Sequence, residues 1–176
     1  MDRGRLGPAA QAVNDQAFSG RAEFQRLLVE TLAWSAAQGV RELHAWDANF
    51  ADWPLSDAAA LLALQAWVGP GRQLHLLALQ YDDVLRRHPR FVRWRRDYAH
   101  CVTARAIDPE LRLEAAPESL LLASGPQTTL SLRLFDRHLW RGELSLGAPE
   151  HCRGLEWFDA LAQRSADSFA PTTLGL

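Results

Sequence analysis

The sequence predicts an α/β domain with a mixed sheet, parallel in its first half and an antiparallel meander in its second, flanked by helices. Three observations predict it. Two helix–glycine–strand units follow one another, with RELH (41–44) and RQLH (72–75) 31 residues apart, and successive strand–helix–strand units build parallel sheets. After His100 the pattern changes to short alternating runs joined by Asp-Pro, Pro-Glu, Gly-Pro and Asp-Arg-His turns, which is the pattern of hairpins. Finally, 176 residues with 48% hydrophobic content are enough for one domain with its own core.

Residues 1–20 lack periodicity and are expected to be a mobile lead-in to a single domain over 21–166, with a tail at 167–176. From Arg21 an amphipathic helix runs to Gln38, with Phe24, Leu27, Leu28, Thr31, Trp34 and Ser35 on one side; Gly39 ends it. A strand at 41–46 leads to a loop of aromatics and acids containing Asp47, Asn49, Phe50, Asp52 and Trp53. Ser56 is expected to cap a helix over 57–68, which stops at the GPG of 69–71. The second strand, 73–79, follows. Beyond it, strands are expected at 102–107, 111–115, 119–124, 129–135 and 139–146, the last three as the meander. A closing helix over 149–164 should bury Leu155, Trp157 or Phe158, and Leu161. The tail FAPTTLGL (169–176) is apolar enough to dock on its own domain or on a neighbour.

Between the two halves lies YDDVLRRHPRFVRWRRDYAHC (81–101), with six arginines (Arg86, Arg87, Arg90, Arg93, Arg95 and Arg96) in eleven residues. It reads as two helices, because Pro89 has no N–H to lose at a first helical position. On the second, Phe91, Val92, Trp94, Tyr98 and Ala99 share a face, with Arg90, Arg93 and Arg96 elsewhere. Arg95 falls inside the apolar arc, where a guanidinium needs a carboxylate, carbonyls or a bound anion. Two readings stay open: a solvated basic face with one internal Arg–Asp pair, or an anion or nucleic-acid site, with Trp94 and Tyr98 as stacking partners in the nucleic-acid case.

Net charge is −2, and outside residues 86–96 the chain carries 13 arginines against 21 acids. Positive charge is therefore local, and DNA or RNA binding should be weak. All 19 basic residues are arginine, which excludes a phosphate-loop lysine, a Schiff-base lysine and a lysine general base. Cys101 and Cys152 make neither a disulfide framework nor a zinc spacing. There is no apolar run of membrane-spanning length and no signal-peptide centre, so a cytoplasmic location without membrane contact is expected. Neither a nucleophile elbow nor a dinucleotide loop occurs, and no cofactor is expected.

Ligands of open parallel sheets bind beyond the strand carboxyl ends. Those ends supply Asp47, Asn49 and Asp52 after the first strand and Tyr81, Asp82 and Asp83 after the second, with Arg95 close by. The candidate site is Asp47, Asn49, Asp52, Tyr81, Asp82 and Arg95, for an anionic small ligand; a hydrogen-bonded lock between these loops and the arginine helix is the alternative. No metal is expected there, because acids scattered over two loops have no diagnostic spacing. His44 and His75, at matching strand positions, lack an evident third ligand.

The order of elements resembles one half of the phospholipase D-like fold, and an uncharacterised proteobacterial domain of that fold sometimes appended to acetyltransferases. That family's reactive signature is H-x-K-x4-D, and its best placement here is PESLLLAS. Pro117, Ser119 and Ser124 stand where the histidine, lysine and aspartate would be. The resemblance implies that nucleophile and charge clamp are both lost, so no catalytic residue is expected; an enzyme using the acid and histidine corner at the strand carboxyl ends by another route is the remaining alternative. It also implies pairing with a second copy, because such halves occur in pairs. Seven tryptophans and the apolar tail are candidate contact surface for a homodimer.

Overall fold

The computed structural model describes residues 12–111, 113 and 116–171. One eight-stranded mixed sheet runs through them: β1 (Gln16–Ser19), β2 (Glu42–Asp47), β3 (Gln73–Ala78), β4 (Val102–Ile107), β5 (Ser119–Ser124), β6 (Thr129–Asp136), β7 (Arg141–Ser145) and β8 (Ser165–Asp167). Their spatial order is β1-β7-β6-β5-β2-β3-β4-β8. β2, β3 and β4 pair in parallel, and every other pairing is antiparallel. The expected parallel half and β5–β6–β7 meander are both present.

Helices cover both faces. On one side lie α1 (Arg21–Ala37), α2 (Ala58–Trp67) and α4 (Pro89–Asp97), the last preceded by the short α3 (Asp82–Arg87); α5 (Ala148–Ala162) lies on the other. Strand alternation assigns the residues: Leu43, Ala45, Leu74 and Leu76 join the larger core, and Trp46, Leu77, Leu120 and Leu122 join the smaller one with Phe158. The face expected for α1 is buried in full. Gly39, at φ 66, reverses the chain after it, and the Val40 N–H reaches back 3.0 Å to the Ser35 carbonyl. On α5, His151, Gly154, Phe158 and Leu161 are buried, whereas Leu155 and Trp157 are only half-buried.

Four local expectations need correction. Gln16–Ser19, read as aperiodic lead-in, is an edge strand on β7. Four residues are too few to show alternation; what holds them is Phe18, packed over Gly142 and stacked 5.9 Å from Phe24. A Cβ at Gly142 would lie 2.1 Å from the Arg133 carbonyl oxygen and 2.3 Å from the Phe18 ring, so the strand depends on a position without a side chain. Asp57, not Ser56, caps α2, accepting from the Ala59 N–H at 3.1 Å.

Of residues 111–115, expected as a strand, the described Leu111 and Leu113 lie outside any strand. The free edge of β4 is taken by β8 instead, and the two leucines pack half-buried against the smaller core. The tail expected from 167 thus begins inside the sheet. Phe169 is buried against Tyr81 and Phe91, so this part of the tail docks on its own domain. Thr172 to Leu176 lie outside the described residues. No helix among the described residues is long and apolar enough to cross a membrane.

Candidate functional site

The two strand ends do not converge on one site. The chain instead builds two adjoining clusters there, separated by the ring of Phe50.

The first is an ionic cluster around Asp47, the last residue of β2 and fully buried. A carboxylate there must have every lone pair occupied to be tolerated. Asp47 accepts from the Asn49 and Phe50 N–H groups at 3.1 and 2.9 Å, from Trp53 Nε1 at 3.2 Å and from Arg137 Nη2 at 2.6 Å. Arg137 also reaches Asp52 at 3.1 Å, and Arg21 meets the other Asp52 oxygen at 2.9 Å. Both guanidinium groups lie over the Trp140 ring, at 5.4 and 5.9 Å. Burial alone would lower the Arg137 pKa; Asp47 and then Asp52 outweigh it, and the net shift is upward. The lock expected between these loops and the arginine helix is not what holds Asp47 and Asp52: their cations are Arg137 in the β6–β7 turn and Arg21 at the start of α1. The Asn49 side chain accepts from the Ala51 N–H within its own turn, at 3.0 Å.

The second cluster holds Tyr81 and Arg95. The Tyr81 hydroxyl donates to the Arg105 carbonyl at 2.9 Å, and burial pushes its pKa up. Its ring stacks on Phe50 at 6.2 Å and on Phe169 at 5.1 Å. Arg95 is 5% exposed, as its place in the apolar arc of α4 requires, and lies 5.9 Å over Phe169. The internal Arg–Asp pair expected for it is not formed among the described residues. Among the described residues its one hydrogen bond is a long one, from Nη1 to the Ala99 carbonyl at 3.5 Å. Asp82 stays outside both clusters, exposed on the first turn of α3.

Arg86, Arg87, Arg90, Arg93 and Arg96 are all exposed. Arg86 and Arg87 pair with Asp83, and Arg96 approaches Asp97 at 3.9 Å; such surface pairs contribute little. Trp94 is no free stacking platform, since it is buried and packed between Phe91 and Tyr98. The Tyr98 hydroxyl accepts from Gln65 Nε2 at 2.6 Å.

On the α5 side, His44 and His75 are in register on β2 and β3 and stack 4.6 Å apart. Glu42, which pattern reading passed over, completes a trio whose ligand atoms lie within 4.8 Å of one another. Metal-bound donors sit about 2.0–2.2 Å from a zinc ion, so this spread requires the side chains to close in. His44 Nδ1 has no hydrogen-bond partner among the described residues, whereas metal-ligating histidines anchor their second nitrogen. His75 Nδ1 does have one, Thr103 Oγ1 at 2.8 Å. Burial, then the neighbouring His75 and His151, push His44 down to about 3. The arrangement is a stacked pair of neutral imidazoles.

At the placement of the signature, Pro117 accepts a hydrogen bond from Trp46 Nε1 at 2.9 Å and lines a pocket of about 250 Å³ with Phe135, Arg153 and Trp157. Ser119 is fully buried beneath Trp53, whose Nε1 donates to its Oγ at 2.8 Å. Ser124 faces His151 Nε2 at 2.8 Å.

No family model matches the sequence, and no curated protein matches it. Among solved structures the chain is similar to TrmBL2, described as an archaeal chromatin protein with a novel mode of DNA binding. The TM-score is 0.58 at 13% identity, covering 89% of this chain and 54% of that one. This chain thus spans about half of that protein's length. It is also similar to NucT from Helicobacter pylori, with a TM-score of 0.54 at 8% identity over 88% of this chain and 99% of that one. At these identities the likeness is one of fold.

Proposed function

We propose that this chain is a non-catalytic domain of the phospholipase D-like type, acting through binding or assembly. One observation supports the reading: where the resemblance places the signature stand Pro117, Ser119 and Ser124, and Ser119 is sealed under Trp53. A buried, hydrogen-bonded hydroxyl cannot take the part of a charged lysine on a phosphoryl oxygen. The chain has no lysine to replace it.

A second reading, nucleic-acid binding, is favoured by the exposed arginines of α3 and α4. Arg90 and Arg93 enter no ion pair among the described residues, and a fold relative is a DNA-binding chromatin protein. One experiment addresses both readings. Labelled duplex DNA should stay uncut, and any binding should weaken roughly ten- to hundredfold between 50 and 200 mM salt, as two to four phosphate contacts imply. Cleavage abolished by His44→Ala or His75→Ala would overturn the non-catalytic reading. Nanomolar binding indifferent to salt would remove the arginine face from the second.

Pairing of two copies belongs to the same proposal, though its support has moved. Five of the seven tryptophans are buried, and only Trp140 and Trp157 are partly accessible, so they supply little contact surface. Both sheet edges are short strands, β1 and β8, which limits pairing through an edge. What favours a dimer is Phe135 and Leu139, 51% and 53% exposed at the β6–β7 turn. Light scattering should return twice the 19.7-kDa chain mass. A single-chain mass unchanged on dilution would remove the homodimer.

A further inference from the structure

We propose that the cavity beside Arg95 is a binding site for a small monocarboxylate with an apolar body. The cavity has a volume of about 500 Å³ and lies between α4, β4 and the segment after β8. Arg95 is part of its lining. Among the described residues Arg95 has no carboxylate within ion-pair distance; Nε has no partner, and Nη1 has only the distant Ala99 carbonyl. Burial disfavours its charged form. A buried guanidinium left in this state is costly, and a bound anion removes the cost.

The rest of the lining selects the anion. Among the described residues that line the cavity Arg95 is the one cation; Arg105, the neighbouring arginine on β4, is held by Asp167 at 2.8 Å and by Ser165 Oγ at 2.8 Å. One unopposed positive charge matches a monoanion better than a phosphate dianion. The planar fork of the guanidinium matches a carboxylate through two parallel hydrogen bonds. Thr103 and Ser168 add hydroxyl groups, Ala104, Phe169, Ala170 and Pro171 offer apolar walls, and Asp167, which also lines the cavity, has its charge met by Arg105 at 2.8 Å. The recessed guanidinium is also out of reach of a polyanion lying on the exposed arginines of the same helix, so this site is distinct from a nucleic-acid face.

The site deepens the binding proposal, and its test involves no hydrolysis, so either can fail alone. Benzoate, acetate and inorganic phosphate are titrated into the full chain by calorimetry. Saturable benzoate binding is expected, tighter than phosphate, weakened at least about tenfold by Arg95→Met and several-fold by Arg95→Lys, which keeps the charge but loses the fork. Absence of saturable benzoate binding, phosphate binding as tight as benzoate, or an Arg95→Met chain that binds as well as the parent would each overturn the site. Thermal unfolding without ligand supplies an independent readout. Arg95→Met should leave the melting temperature unchanged or raise it, because an uncompensated charge is removed. A lowered melting temperature would mean that a carboxylate of the chain itself already neutralises Arg95, and would also overturn the proposal.

Discussion

Replacing Asp47 with alanine is expected to cost the fold about 3–5 kcal/mol, the range for breaking a buried ion pair by removing one partner. The loss has two parts. Arg137, about a quarter exposed, keeps Asp52 but loses its closest acceptor. The Asn49 and Phe50 N–H groups and Trp53 Nε1 lose their fully buried acceptor, and each unmade buried hydrogen bond carries its own penalty. Asp47→Asn keeps an acceptor oxygen for the loop and should cost less. Arg137→Met in the Asp47→Ala background should cost less than the two single losses combined, because the residues share one network. Urea unfolding measures all four chains. An Asp47→Ala loss below about 1 kcal/mol would mean that the cluster does not hold this end of the sheet.

Acid should unfold the protein through its histidines, with His44 contributing most. A histidine whose folded pKa lies below its unfolded value binds fewer protons in the fold. Its contribution is therefore complete above the unfolded value near 6.5 and is lost as pH falls towards the folded value, about 3 for His44. Over that window the loss amounts to on the order of 4 kcal/mol, a large part of the 5–15 kcal/mol typical of a domain. His75, His88 and His151 are also lowered, chiefly by burial, and act in the same direction. The groups facing His44 are Glu42 on its own strand, His75 on β3, and His151 and Phe158 on α5. Of these Glu42 alone can soften the effect, from 3.9 Å. His44→Leu should flatten the dependence of unfolding free energy on pH between 6 and 4 by about one proton, or roughly 1.4 kcal/mol per pH unit. An unchanged slope would show that His44 titrates normally.

Sequence periodicity reached the elements whose signals are local. The buried face of α1, the break at Pro89, the burial of Arg95 and the His44–His75 pairing follow from spacing along a helix or from matching positions in two repeated units. The meander was legible because each turn carries its own residues. The cluster at Asp47 was not, since its cation is 90 residues away in a turn whose arginine looks like any other surface arginine. Glu42 escaped notice because it stands two residues before His44, on the same strand face, where an acid reads as surface.

The sequence by itself determined the α/β class, the absence of any lysine chemistry and the position of one internal arginine. Each depends only on residue identity or on the helix and strand periods. The tertiary structure decided which charges neutralise each other, that β8 pairs with β4, and that Arg95 lines a cavity with no ion-pair partner among the described residues. Those outcomes depend on which segments compete for the same edge or the same buried volume. That competition is settled by long-range pairing and packing, to which local pattern is blind.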